Sequence, residues 1–234
     1  MPVIPRTLSG ALIAGLVAGL LAAALNLWTL TPLILQAEVF EGATLHVHDD
    51  GVEHLHEAPP PPGAAQAGSR SLGTVATTLV AYLGFGLVLG AGMAAAARWG
   101  HEPTARTGLL WGLAGFAAVQ LAPAVGLPPE LPGLASADLG ARQMWWALCV
   151  AATATGLAAL AFGRSLPFLV LGAALVLLPH ALGAPQPASH EGLVPPGLAA
   201  LFATRSLGVA ALSWAVLGAL TGALAERSPA RRTA

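Results

Sequence analysis

Apolar residues fall in six long blocks separated by short polar breaks, at approximately 8–35, 72–97, 107–125, 144–162, 166–182 and 198–224. A helix of about 20 apolar residues crosses a hydrocarbon core of about 30 Å. The fifth block is near the short limit. The sixth carries Arg205 near its start, so its fully apolar part is nearer 206–224. The pattern predicts an all-α integral membrane protein: a single domain over 1–234, built as a bundle of six transmembrane helices with one His/acid-rich extracytoplasmic loop. That loop, 37–71, is the only sizeable piece outside the bundle. The first block could also be a cleaved signal peptide, with Arg6 as its basic end and Ala37 at the cleavage site. Its apolar stretch far exceeds the roughly 7–15 residues of a signal core, so a retained helix is expected.

Composition agrees. Hydrophobic residues make up 56% of the chain and charged ones 9%, against roughly 25% charged in a soluble domain. The ten basic residues are all arginine. With both termini cytoplasmic, Arg6, Arg98, Arg106, Arg164, Arg227, Arg231 and Arg232 fall inside, and Arg70, Arg142 and Arg205 outside. That asymmetry obeys the positive-inside rule and sends the acid-rich loop outside. A net charge of −1 gives no nucleic-acid reading. The single Cys149 rules out an intrachain disulfide and a cysteine-based metal site. No Walker-type glycine loop, dinucleotide fingerprint or nucleophile elbow is present.

Glycines four apart, Gly15/Gly19, Gly86/Gly90, Gly108/Gly112 and Gly218/Gly222, put flat strips on helix faces. Such strips let backbones approach closely in lipid. A weak echo links the end of the third block, Gln120-Leu-Ala-Pro-Ala-Val-Gly-Leu-Pro, with that of the fifth, Leu177-Leu-Pro-His-Ala-Leu-Gly-Ala-Pro. Both exit outward in the assigned topology.

The chemistry concentrates at 45–57, Leu-His-Val-His-Asp-Asp-Gly-Val-Glu-His-Leu-His-Glu. Two His-x-His pairs, His46/His48 and His54/His56, flank an Asp-Asp-Gly turn, with Asp49, Asp50, Glu53 and Glu57 beside them. Imidazole and carboxylate suit divalent transition metals. Residues at i and i+2 share a strand face. A three-residue loop, 49–51, sets His46 opposite His54 and puts all four imidazoles on one face. A two-residue Asp50-Gly51 turn splits the pairs between faces, and a flexible segment binds in many ways. The following stretch, 58–69, opens with Pro59–Pro62 and reads as an extended tether.

Polar groups within or at the rim of the blocks come next. Asn26 lies deep in the first, Gln120 in the outer half of the third, His180 beside Pro179 near the outer end of the fifth. Ionisable groups at such depth are functional candidates, whereas a lone Asn or Gln also joins helices by hydrogen bonds. Gln36, Glu38 and Glu41 sit at the depth of His180. Glu38, Glu41 and His180 are expected to form an outward-facing cation site, with Arg205 either snorkelling or paired with Glu38. The remaining outer loops, 126–142 and 183–196, are stiffened by proline, the second carrying His190. Trp145 and Trp146 read as interfacial anchors.

Several of these stretches carry a resemblance. Leu35-Gln-Ala-Glu-Val-Phe-Glu41 with the His/Asp-rich loop after it, Leu127-Pro-Pro-Glu-Leu-Pro-Gly133, Asp138-Leu-Gly-Ala-Arg-Gln-Met-Trp-Trp146 and Leu178-Pro-His-Ala-Leu-Gly-Ala-Pro185 together resemble the CbtA family of predicted cobalt transporter subunits. The resemblance runs over nearly the whole chain. It implies a multi-pass protein of the bacterial cytoplasmic membrane, linked to cobalamin metabolism and acting with a small one-helix membrane partner that has its own terminal histidines. It marks Glu38, Glu41, Glu130, Arg142, Gln143 and His180 as functional.

The expected function is uptake of a divalent metal, Co²⁺ before Ni²⁺ or Zn²⁺. The rival is an extracytoplasmic metal-binding sensor or scaffold, favoured by the scarcity of midplane charge. A membrane enzyme is not expected, because only His180 offers intramembrane acid–base chemistry.

Overall fold

The computed structural model describes residues 3–41, 45–47, 53–55, 64–188 and 194–227, with side chains described for 8–40, 67–188 and 194–227. The helices are α1 (Val3–Leu25), α2 (Thr31–Glu41), α3 (Ala64–Ala97), α4 (Ala105–Phe116), α5 (Ala122–Gly126), α6 (Leu139–Phe162), α7 (Leu166–Leu182) and α8 (Pro196–Glu226). Two π-helical turns, Asn26–Leu30 and Ala117–Leu121, join α1 to α2 and α4 to α5 without breaking either rod. Among the described residues, five helices are long and apolar enough to cross a membrane: Leu8–Phe40, Ala67–Ala97, Ala105–Gly126, Leu139–Phe162 and Pro196–Glu226. The expected fifth crossing, α7, has only 17 residues. At 1.5 Å per residue it is about 25 Å long, so the six-span expectation becomes five full-length spans plus one shorter apolar helix.

Several boundaries move for local reasons. α2 runs on through Glu38 to Glu41, and α3 starts at Ala64, so the loop expected over 37–71 is shorter and its last stretch is helix, not extended tether. Ala64, Ala65 and Ala67 are strong helix formers that follow the proline run. α6 begins five residues early because Asp138 caps it, its carboxylate accepting from the Ala141 N–H at 2.9 Å. Arg142 and Gln143 thereby become first-turn helical residues.

Glycine faces hold the bundle together as expected. α1 packs antiparallel on α3: a Cβ at Gly15 would lie 2.7 Å from the Tyr82 carbonyl, and one at Gly86 would lie 2.6 Å from that of Ala11. α4 packs on α8 through Gly108 and Gly112 against Gly218 and Gly222, where added Cβ atoms would run into backbone carbonyls. Gly156 and Gly172 do the same for α6 and α7. The main core joins Ala14, Ala18 and Ala22 with Tyr82, Leu89, Met93, Phe116, Trp214 and Leu217. A second cluster, including Leu33, Ala37, Leu131, Val194 and Phe202, packs together near the end where α2 stops and α8 starts. The echoed ends of α5 and α7 meet there, Gly126 lying against Ala184 and Trp145.

Two short strands, Leu45–Val47 and Glu53–Leu55, pair antiparallel with His46 opposite His54. That pairing is the one the three-residue alternative gives. The side chains there, together with His48, Asp49, Asp50, His56 and His190, lie outside the described residues.

Candidate functional site

Both π-turns arise at the same sequence pattern. Thr31-Pro32 follows the first and Ala122-Pro123 follows the second. Proline has no N–H to give to the preceding turn and crowds its carbonyl. The chain responds by widening: Thr31 N–H bonds Asn26 O and Ala122 N–H bonds Ala117 O, each five residues back. Other side chains then serve the displaced carbonyls. Thr29 Oγ1 donates to Leu25 O at 2.7 Å, Arg205 to Thr29 O at 3.5 Å, and Trp146 Nε1 to Val119 O at 3.2 Å. Val119 O is the acceptor that Pro123 leaves without its α-helical donor.

The two π-turns border one open cavity of about 700 Å³, lined on its other sides by α3, α6, α8 and the segment after α5. Asn26 and Gln120 both line it, with Thr77, Thr78 and Tyr82 from α3 and Ser206 from α8. Gln120 Oε1 and Ser206 Oγ are buried and have no hydrogen-bond partner. Such a buried, unpartnered acceptor costs about 1–3 kcal/mol. Away from the mouth the cavity ends on aromatic rings. Tyr82 meets Phe85 edge-on at 5.7 Å, and Phe85 lies 4.7 Å from Trp214.

Glu130, Arg142 and Gln143 stand at the mouth. Glu130 Oε2 accepts from Arg142 Nη2 at 2.9 Å and from Ser136 Oγ at 2.7 Å. Both partners of this ion pair stay partly exposed, at 29% for Arg142 and 24% for Glu130. Water can therefore compete for the pair, and so can a cation.

The expected rim behaves differently. Glu38 is held by two hydrogen bonds from Arg70, not by Arg205. Arg205 instead faces a groove with Trp28 and Gly208. Depth along the helix was readable in sequence, but angular position was not. Half-buried His180 packs edge-on against Trp145, ring centroids 6.3 Å apart, and Trp145 Nε1 donates to Pro179 O at 3.3 Å. Gln36 is exposed, and the Glu41 side chain lies outside the described residues. Among the described residues no three His, Cys, Asp or Glu converge as a metal-holding group. Sequence reasoning missed Thr77, Thr78, Ser206, the Glu130–Arg142 pair and both π-turns. Pro32 and Pro123, interrupting apolar runs beside Asn26 and Gln120, were the available signal.

A family model described as "Probable cobalt transporter subunit (CbtA)" matches residues 4–226. The chain belongs to the CbtA family. Membership and the long apolar helices together make it a multi-pass membrane protein. Neither curated proteins nor solved structures give a match. The stretches that pointed to CbtA fall unevenly on the structure. Those around Glu130 and Arg142–Gln143 form the cavity mouth, while those around Glu38 and His180 lie outside its lining.

Proposed function

We propose that this CbtA-family chain takes up Co²⁺ across the bacterial cytoplasmic membrane, with Ni²⁺ and Zn²⁺ as competitors, as one subunit of an assembly with a small membrane partner. The 45–57 segment, facing outward, gathers the ion on His46, His48, His54 and His56, with Asp49, Asp50 and Glu53 adding charge. The ion then enters the cavity past Glu130. The observation that carries this reading is a cavity bordered by two π-interrupted helices and lined by Gln120 and Ser206, whose buried side-chain oxygens have no partner. Interrupted helices are a recurrent way for membrane transporters to build substrate sites at membrane depth. With both termini cytoplasmic the mouth opens outside. The membrane potential then favours inward movement by about 2.3 kcal/mol per charge per 100 mV, twice that for a divalent ion.

The Glu130–Arg142 pair acts as an electrostatic latch. Arg142 neutralises the mouth when no cation is present. A divalent ion recruited to Glu130 repels the guanidinium and enters. Passage further requires the Tyr82–Phe85–Trp214 rings to separate, so the present arrangement is open at one end and shut at the other. In this reading Glu38, Glu41 and His180 assist delivery to the mouth.

One observation favours the rival reading, a sensor or scaffold that binds the ion outside. Among the described residues, no carboxylate or imidazole lines the cavity below Glu130. Radioactive cobalt uptake into cells expressing the chain with its partner separates the two. Transport predicts that Glu130→Gln abolishes uptake at saturating cobalt, while deleting 42–57 only raises the concentration required. A loop that is essential beside a dispensable Glu130 would establish the scaffold.

A further inference from the structure

We infer that the cavity accepts its divalent cargo with the water shell intact, gripping the coordinated waters rather than the metal. This rests on the transport reading above and specifies the form in which the ion enters. Below the mouth, the polar lining among the described residues is neutral: the amides of Asn26 and Gln120 and the hydroxyls of Thr77, Thr78, Tyr82 and Ser206. Neutral amides and hydroxyls cannot repay the dehydration of a divalent ion, which is far costlier than that of a neutral group. Protein sites that strip such ions surround them with carboxylates, imidazoles or thiolates. The one carboxylate in the lining among the described residues, Glu130, already receives Arg142 and Ser136 on Oε2.

Size permits the alternative. Six waters at about 30 Å³ each occupy roughly 180 Å³, well within the cavity's 700 Å³ or so. Hydrogen bonding requires it in a particular sense. Waters on a divalent ion are strong donors with no acceptor capacity to spare, so a site for them must offer acceptors. Gln120 and Ser206 both line this space, and their oxygens Oε1 and Oγ, buried against protein and without a partner, become acceptors for those waters when the side chains rotate toward it. A cavity of this kind reads charge and hydrated size. It does not rank metals by ligand affinity, so the choice of cobalt over copper or nickel falls to the groups outside it.

Cobalt(III) hexaammine tests the inference, because its six ammonia ligands do not exchange and it imitates a hydrated ion that cannot be stripped. The measurement is radioactive Co²⁺ uptake by cells carrying the chain and its partner, with 42–57 deleted so that only the cavity competes. The complex should inhibit uptake competitively, and Mg²⁺ should do so in the same concentration range. Gln120→Leu should weaken that inhibition about tenfold, the equivalent of one lost hydrogen bond to a charged donor. Ser206→Ala, which removes an acceptor without adding bulk, should weaken it in the same direction. Uptake that proceeds untouched by excess hexaammine overturns the hydrated-ion inference and leaves transport standing. Inhibition unchanged in both variants also overturns it, since the complex would then act elsewhere. Absence of uptake by the unaltered chain with its partner overturns the transport reading itself, and this inference with it.

Discussion

The same helices are tight at one end of the bundle and splayed at the other. Near the chain termini, α4 and α8 touch backbone to backbone through Gly108, Gly112, Gly218 and Gly222, and α1 and α3 do so through Gly15 and Gly86. Toward the other end, the continuations of those helices separate around a cavity, and the π-turns with Asn26 and Gln120 face it. Glycine removes the side chains that keep helices apart, whereas proline disrupts the hydrogen bonding that keeps a helix regular. In the proposed reading one end stays shut and the other admits something polar. A transporter needs both ends, and it needs them to differ.

The largest effect should come from filling the tight end. Gly218→Leu drives a side chain into the Gly108 carbonyl and should cost on the order of 3 kcal/mol or more, read as loss of folded protein in detergent. Gly84→Leu is the matched control. Gly84 is exposed and has nothing within 4 Å, so it should change stability by less than about 0.5 kcal/mol. Equal damage from both substitutions would remove the distinction between packed and open glycines.

The next effect belongs to the splayed end. Gln120→Leu takes away an unpartnered buried acceptor, so it should leave stability unchanged or raised while lowering cobalt uptake about tenfold. That opposition between stability and uptake is absent if Gln120 merely joins helices, because the substitution would then destabilise. Pro123→Ala restores an N–H toward Val119 O and competes with the Trp146 indole for that acceptor. It should regularise the helix, stabilise the protein by about 1 kcal/mol and slow uptake several-fold. Trp146→Phe should act more weakly still, removing one hydrogen bond worth about 1 kcal/mol without closing the cavity.

Sequence carried the tight end well and the splayed end poorly. Hydropathy located every apolar helix, and glycine spacing named the faces that pack, because both depend on one-dimensional periodicity. The 17-residue length of α7 was also legible as a near-limit span. Asn26 and Gln120 could be named as pathway candidates from their depth, but their convergence could not, since π-turns leave hydropathy unchanged. Glu130 and Arg142 are twelve positions apart, and a loop turned at Gly133 (φ +83°) brings them together. Nothing in spacing alone predicts that. Sequence leaves the partner of Glu38 open between Arg205 and none for a related reason: that Arg70 pairs with it is decided only by the three-dimensional arrangement of α2 and α3.

The central claim is that a cation reaches Gln120 through the mouth and is stopped by the rings beyond it. Cysteine accessibility reads this directly. Gln120→Cys and Thr221→Cys are placed separately in a Cys149→Ser chain and treated in intact cells with a membrane-impermeant thiol reagent. The account predicts modification at position 120, slowed by Co²⁺, and none at Thr221, which is buried in the tight end. Modification at 221, or labelling at 120 that Co²⁺ leaves unchanged, would contradict it.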